Sequence, residues 1–136
     1  MKTFAIVAAL STACALATAH ELRVEVLNAR SSNGYVAAAV YADGKGWLQD
    51  GQAVQVGRVA AADKSVLLFA NLPAWHYAVS LFHDENGNGR LDKNVMGIPT
   101  ERYGFSRDAR GPMGPPAFAD AAVDVDADTT ITVHLQ

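Results

Sequence analysis

One polar stretch, residues 83–106, contains the side chains whose types and spacing could do chemistry. Its oxygen-bearing residues stand at positions 1, 3, 5 and 9 of a loop with a glycine at position 6, namely Asp84, Asn86, Asn88, Asp92 and Gly89. Alternate side chains of a curled loop can converge on one ion, and the glycine permits the sharp turn that this requires. The spacing matches the front half of an EF-hand loop and predicts a site for one Ca²⁺ ion.

The back half of the loop departs from the EF-hand pattern. Arg90 at position 7 can offer its carbonyl oxygen, but Val95 stands at position 12, where an EF-hand has a bidentate glutamate. Glu101 is the nearest replacement, returned to the loop by a turn at 97–99. With so few carboxylates the affinity is expected to be that of extracellular modules, ~10⁻⁴–10⁻³ M. The predicted ligands are Asp84, Asn86, Asn88, Arg90, Asp92 and Glu101.

An ion-free hairpin is the alternative interpretation of this loop. The Asn-Gly-Asn-Gly run at 86–89 forms tight turns readily, because both residue types tolerate positive φ. A plain hairpin does not need an aspartate at each end, however, so the pattern favours an ion that orders the loop. Mg²⁺ fits less well, since it demands near-ideal octahedral geometry and keeps its waters.

The elements that must position this loop are strands. Short apolar or alternating segments bounded by turn residues occur at 21–28, 35–42, 54–59, 65–72, 75–83, 122–125 and 129–135. Period-two alternation over such lengths predicts half-buried strands. Residues 43–52 and the Gly/Pro-rich 96–116 are expected to be irregular, and 118–122 to form one helical turn. The pattern predicts an all-β fold, a single antiparallel β-sandwich of about seven strands.

The first nineteen residues are expected to be a signal peptide rather than part of the fold. Lys2 precedes an apolar run at 4–16, and Ala17-Thr18-Ala19 is a small-x-small cleavage site. A lipoprotein would have a leucine three residues before Cys14, where Ser11 stands, so cleavage after Ala19 is favoured over lipidation. The mature domain is then 20–136, without cysteine and without a membrane span, in the periplasm or secreted.

Charge and motif content exclude several function classes. Asp and Glu outnumber Lys and Arg by 14 to 11, which argues against nucleic acid or anionic lipid as partner. The chain has no Gly-x-Ser-x-Gly elbow, no His-Glu-x-x-His and, after cleavage, no cysteine nucleophile. A triad of Ser106, His83 and Asp108, or an acid pair of Glu101 and Asp108, can be drawn but has no spacing argument. We therefore predict a non-catalytic protein.

The histidines and aromatic residues leave two further alternatives open. If cleavage makes His20 the N-terminal residue, it could chelate copper with His76, His83 or His134, although His83 is expected to cap the sheet end. Loop aromatics could also form a platform for a carbohydrate or cell-envelope component, or fold over the ends of the core instead. These aromatics are Trp47, Trp75, Tyr103, Phe105 and Phe118.

The combined motifs resemble the DUF2141 family, exported bacterial proteins of unknown function. The resemblance covers nearly all of the mature chain and rests on Asn71-Leu72-Pro73, Tyr77-Ala78-Val79, the run 83–92, Gly97-Ile98-Pro99-Thr100-Glu101, Tyr103-Gly104-Phe105-Ser106, Gly114-Pro115-Pro116 and Phe118. It implies a sandwich similar to transthyretin-like, carboxypeptidase-regulatory-like or Ig-like domains, and no established activity. Members often have Pro-x-Gly-x-Tyr before the central strand, whereas this chain has Trp75 in place of the glycine. A different backbone turn is therefore expected there.

Overall fold

A computed structural model describes residues 17–136 of the chain. They form eight strands, one 3₁₀ turn and one short helix. The strands are β1 (Ala19–Leu27), β2 (Tyr35–Tyr41), β3 (Gln55–Ala60), β4 (Lys64–Pro73), β5 (Trp75–Asp84), β6 (Tyr103–Phe105), β7 (Val123–Val125) and β8 (Thr129–His134). The 3₁₀ turn is Ser106–Asp108, and α1 is Phe118–Ala121, where one helical turn was predicted. The proposed signal peptide lies outside the described residues, apart from 17–19.

The strands form two packed sheets, so the prediction of an all-β sandwich is confirmed. One sheet has the order β4-β1-β8, and the other has the order β3-β2-β5-β6, with β7 paired to the start of β5. All pairs are antiparallel except β1 with β8, which run parallel from Leu22↔Thr129 to Leu27↔His134. The chain crosses from β7 in one sheet to β8 in the other, and this crossover gives β8 the direction of β1.

The core lies between the sheets and follows the sequence alternation. Leu22, Val24 and Val26 of β1 are at most 1 % exposed and belong to one cluster with Val79 and Leu81 of β5. Full burial of an aliphatic side chain of this size contributes about 1.5–3 kcal/mol each. The opposite face of β1 carries Glu21, Arg23 and Glu25, which is why period two is visible in its sequence.

Strand β6 lies inside the stretch 96–116 that was predicted to be irregular. Its three residues pair with 80–82 of β5, opposite the β2 side of that strand. A segment this short contains no full hydrophobic period, so only the tertiary pairing identifies it. Ser106 follows β6 and is fully buried, where its hydroxyl accepts the Val79 amide hydrogen at 2.9 Å and donates to the Ala121 carbonyl at 2.5 Å.

Strand β5 connects the two ends of the molecule. Trp75 begins it and Asp84 ends it, and ten residues of strand span about 30 Å. The polar loop, residues 84–101, therefore lies at the opposite end of the sandwich from the exposed Trp75. No helix within residues 17–136 has the length and apolar character needed to cross a membrane.

Candidate functional site

The polar loop begins inside the protein, because Asp84 is the last residue of β5 and only 3 % exposed. Its Oδ1 accepts the Asn88 amide hydrogen at 3.1 Å, and its Oδ2 accepts that of Gly89 at 2.8 Å. Gly87 and Gly89 have φ values of 70° and 76°, in the left-handed region that glycine adopts without cost. The buried carboxylate of Asp84 thus holds the loop in its curled conformation through these two backbone hydrogen bonds.

The other predicted side-chain ligands meet above Asp84. Nδ2 of Asn86 donates to Asp92 Oδ2 at 2.5 Å, and Nδ2 of Asn88 donates to Asp92 Oδ1 at 2.7 Å. Oδ1 of Asn86 accepts the Asn88 amide hydrogen, and Oδ1 of Asn88 accepts that of Arg90, at 3.2 and 3.0 Å. These Asx turns bring alternate side chains to the same side of the loop.

Glu101 closes the base of the loop. It is 7 % exposed, and its carboxylate accepts the amide hydrogens of Glu85 at 3.1 Å and Asp92 at 3.0 Å. The return is made by a small hairpin with a bridge between Lys93 and Pro99. Val95 at position 12 lies on this hairpin and is fully exposed. The carboxylate at the base of the loop is therefore supplied by Glu101 and not by position 12.

His83 anchors the loop to the turn between β1 and β2. The side chain is fully buried; Nδ1 accepts the Arg30 amide hydrogen at 3.2 Å, so Nε2 carries the proton and donates to the Asn33 carbonyl at 2.7 Å. The predicted sheet-end cap is confirmed. In the same turn, a Cβ on Gly34 would lie 2.0 Å from the Asp84 carbonyl oxygen, so this approach requires glycine.

The charges of the loop are unbalanced. The carboxylates of Asp84, Asp92 and Glu101 have no Lys, Arg or His within ion-pair distance among residues 17–136. The hydrogen bond from Asn88 is the largest cause that lowers the pKa of Asp92 from its ordinary 3.8, with smaller contributions from Asn86 and Arg90. Burying charges that are bonded only to neutral amides is costly, and a cation would offset that cost.

Arg30, which lies at the neck of the loop, pairs with a different carboxylate, that of Glu85. Its Nη1 lies 3.5 Å from Glu85 Oε1, and its Nη2 donates to the Thr100 carbonyl at 3.1 Å. No local sequence pattern predicts this contact, because Arg30 precedes the loop by more than fifty residues. Arg30 therefore connects Glu85 at the start of the loop with Thr100 near its end, and it forms no ion pair with Asp84, Asp92 or Glu101.

The carboxylates do not form a metal cluster by themselves. In the described part of the chain, no three His, Cys, Asp or Glu side chains lie close enough to hold an ion. Asp92 faces the amide nitrogens of Asn86 and Asn88, and Glu101 faces backbone amides. A Ca²⁺ ion here would therefore need amide and carbonyl oxygens as well, and Asp92 would have to exchange its amide hydrogen bonds for the ion.

Comparison with known proteins decides the family. The family model described as an uncharacterized protein conserved in bacteria, DUF2141, matches residues 24–133, which is most of the chain. The chain belongs to this family. No curated protein and no solved structure matches. The match runs from the middle of β1 through most of β8 and includes the whole polar loop, so the loop is part of what this DUF2141 chain shares with the family model.

Most aromatics near the loop of this DUF2141 chain belong to the core. Trp47 is 8 % exposed; its Nε1–H donates to the Pro116 carbonyl at 2.8 Å, and its ring packs on Tyr41, Phe105 and Phe118 with centroids 5.2–6.0 Å apart. These rings fold over one side of the sheet, as one of the two alternatives predicted. Trp75 differs, because it is 58 % exposed and lies at the far end of β5.

A cleft of about 800 Å³ lies beside the loop. The outward side chains of Phe82 and Tyr103 line it, together with Leu91 and Ile98 from the loop and Met113 from the Gly/Pro-rich segment. Met113 is fully exposed and Ile98 is 55 % exposed. The polar loop thus supplies one wall of a mostly apolar cleft.

Several of the remaining candidate catalytic and copper-binding residues are held in other contacts, namely His76, His83, Ser106, Asp108 and His134. Ser106 is bonded to buried backbone groups and does not contact His83, which is bonded to the β1–β2 turn. Asp108 accepts from His134 at 2.7 Å, and His76 bonds Asp124. The triad drawn from the sequence is therefore wrong, since its three members contact different partners.

Proposed function

We propose that this DUF2141 protein is an exported, non-catalytic β-sandwich module whose loop at 84–101 binds one Ca²⁺ ion. The observation that carries the proposal is the set of three carboxylates, Asp84, Asp92 and Glu101, two of them buried, that form no ion pair with any Lys, Arg or His among residues 17–136. Ca²⁺ would offset this charge with oxygen ligands at roughly 2.3–2.6 Å. The ligands are the side-chain oxygens of Asp84, Asn86, Asn88, Asp92 and Glu101 and the carbonyl of Arg90.

The role of the ion is to order the loop. Its residues 86–90 are exposed, and polar contacts hold them, namely hydrogen bonds to Asp84 and Asp92 and Asx turns among themselves. Binding requires only that the exposed Asn86 and Asn88 side chains rotate and release Asp92, while Asp84 and Glu101 keep their backbone bonds. A site of this composition has moderate affinity, with a Kd on the order of 10⁻⁴ M.

Thermal unfolding of the purified protein tests the proposal. At about 10 mM Ca²⁺ such a site is ~100-fold saturated, which adds roughly 2.7 kcal/mol of stability. For a domain of this size, Tm should rise by on the order of 10 °C relative to EDTA, and Mg²⁺ should give much less. Asn88→Ala should abolish most of the rise with little loss of stability in EDTA, whereas Asp63→Ala, an exposed aspartate outside the loop, should leave it intact.

Terbium luminescence locates the ion. The Tyr35 ring lies beside Gly87, where a Cβ would be 3.9 Å from its Cε2, so excitation of Tyr35 should sensitise Tb³⁺ bound in the loop. Ca²⁺ should displace the signal, and Tyr35→Phe should reduce it without changing the Ca²⁺-induced rise in Tm. If Ca²⁺ neither raises Tm selectively nor displaces Tb³⁺, the loop is an ion-free turn and the proposal fails.

The apolar cleft supports a second candidate function, a binding module in which the ion fixes one wall. Leu91 and Ile98 of the loop line the cleft together with Tyr103 and Met113. The partner would be an apolar part of a cell-envelope component. Anilinonaphthalene sulfonate, a dye for apolar clefts, should then bind more tightly in Ca²⁺ than in EDTA and lose affinity in Met113→Asp. If wild type and Met113→Asp bound the dye with equal affinity, this cleft would be excluded as the site.

A further inference from the structure

A second cleft lies at the opposite end of β5, around Trp75. It has a volume of about 480 Å³, and Trp75 lines it together with Val54, Gln55, Asn71 and Tyr77. The indole is 58 % exposed, yet it is held in place, because its Nε1–H donates to the Ala42 carbonyl at 2.9 Å and its ring packs against His76 with centroids 5.5 Å apart. A large aromatic face is thus presented to solvent on a fixed support.

A β-bulge turns an amide toward this cleft. His20 pairs with Leu72 and Leu22 with Phe69, so Ala70 and Asn71 together oppose Glu21. Asn71 has φ 59°, and it is exposed where the alternation of β4 would otherwise bury it. Bulges commonly re-aim a side chain near a binding site. Asn71 reaches the cleft because of this irregularity.

The chemistry of the lining is neutral. Gln55 and Asn71 each carry an amide that can both donate and accept. One Nε2 hydrogen of Gln55 is donated to the Ala70 carbonyl at 2.7 Å, which leaves its second Nε2 hydrogen and its Oε1 for a ligand. Tyr77 donates its hydroxyl hydrogen to the Pro73 carbonyl at 2.6 Å. The lining contains no Asp, Glu, Lys, Arg or His. A charged ligand would find no counter-charge here.

We propose that this cleft binds a neutral oligosaccharide, with one pyranose ring stacked on Trp75 and hydroxyl groups bonded to Asn71 and Gln55. A sugar ring offers an apolar C–H face for an indole and vicinal hydroxyls that pair with amides, so it matches both features of the site. An acyl chain would leave the amides unpaired, and an acidic polymer would meet an uncharged wall. The site is independent of the Ca²⁺ loop, which lies at the other end of β5.

Two-dimensional ¹H–¹⁵N NMR of the full chain tests this directly, because the protein has two tryptophans and hence two indole Nε1–H signals. Cellotetraose and chitotetraose are the neutral probes, and tetragalacturonate is the charged comparison. One neutral probe should shift the Trp75 signal with a Kd on the order of 1 mM or tighter, leave the Trp47 signal unmoved, and outcompete the acidic probe. No shift by either neutral probe at about ten times that concentration overturns the proposal.

The variants separate binding from folding. Asn71→Gly removes the amide but suits the positive φ, so it should keep the fold and weaken binding about 3-fold or more, the loss expected for one hydrogen bond. Trp75→Ala should weaken it at least 10-fold, while Leu68→Ala, an exposed apolar residue of β4 outside the cleft, should change nothing. If the Trp75 signal depends on protein concentration without sugar, the cleft is an interface between copies, and the proposal is wrong.

Discussion

Replacing Glu101 by glutamine tests whether one carboxylate holds the base of the loop together. Glu101 is nearly buried and accepts two backbone amide hydrogens, one from each side of the loop neck. Glutamine keeps the size but has one oxygen and one NH₂ group. One of the two backbone amides would then face a donor instead of an acceptor.

The expected cost follows from these contacts. A hydrogen bond to a charged acceptor is worth about 1.5–3 kcal/mol, and an amide left buried without an acceptor costs about 1–3 kcal/mol. Removing a negative charge near Asp84 and Asp92 offsets part of this loss. We therefore expect Glu101→Gln to lower the free energy of unfolding by roughly 2 kcal/mol in EDTA.

Urea denaturation in EDTA and in about 10 mM Ca²⁺ measures both roles of Glu101. The difference in the free energy of unfolding between wild type and Glu101→Gln should be larger in Ca²⁺ than in EDTA. The variant also loses an ion ligand, so Ca²⁺ stabilises it by less than the ~2.7 kcal/mol expected for wild type. Asp63→Asn makes the same charge change on the surface and should differ by less than about 0.5 kcal/mol in both buffers. A loss in EDTA as small as that control would refute the structural role, and an equal gap in both buffers would refute Glu101 as ligand.

Three further predictions concern the stability of variants at Gly34 and Ser106 and the effect of low pH through Asp92. Gly34→Ala should cost several kcal/mol more than Gly51→Ala in chemical denaturation, because both have positive φ but only Gly34 has a backbone oxygen 2.0 Å from the added Cβ; equal losses would contradict the close approach. Ser106→Ala should destabilise by about 2–5 kcal/mol, since two buried backbone groups lose their partner, and a change below that of the exposed Ser32→Ala would contradict it. Asp92 has a lowered pKa in the folded state, so its contribution is present above pH 3.8 and disappears as the pH falls through the folded value. Carboxyl ¹³C titration should show that Asn88→Ala moves this pKa back up, and an unmoved pKa would assign the shift to another cause.

The sequence predicted what is set by local pattern. The alternation at 21–28 and 75–83 identified β1 and β5, whose observed bounds differ from the predicted ones by at most two residues at either end. The spacing of Asp84 to Asp92 likewise identified a curled loop, because Asx turns form between residues two apart. These features depend on neighbours along the chain, and a sequence displays them directly.

Features that depend on distant contacts could not be predicted. Gly34 is required because Asp84 passes close beside it, and only the folded chain shows this approach. Trp75 and Trp47 looked equivalent as loop aromatics, whereas one is exposed and the other is bonded to Pro116 in the core. The parallel pairing of β1 with β8 also depends on how the chain crosses between the sheets.

That parallel pairing has a consequence for how the protein folds. β1 lies in the middle of the three-stranded sheet, and one of its two partners is the last strand, so the Glu21 amide bonds Asp128 across 107 residues. The first strand therefore cannot complete its sheet until nearly the whole chain has been synthesised. Contacts of such long range make folding slow, in the range of milliseconds to seconds for β-sandwiches. In a chain that is still being synthesised, β1 would lack its β8 partner along one edge. We therefore expect the native state to form only after β8 has left the ribosome.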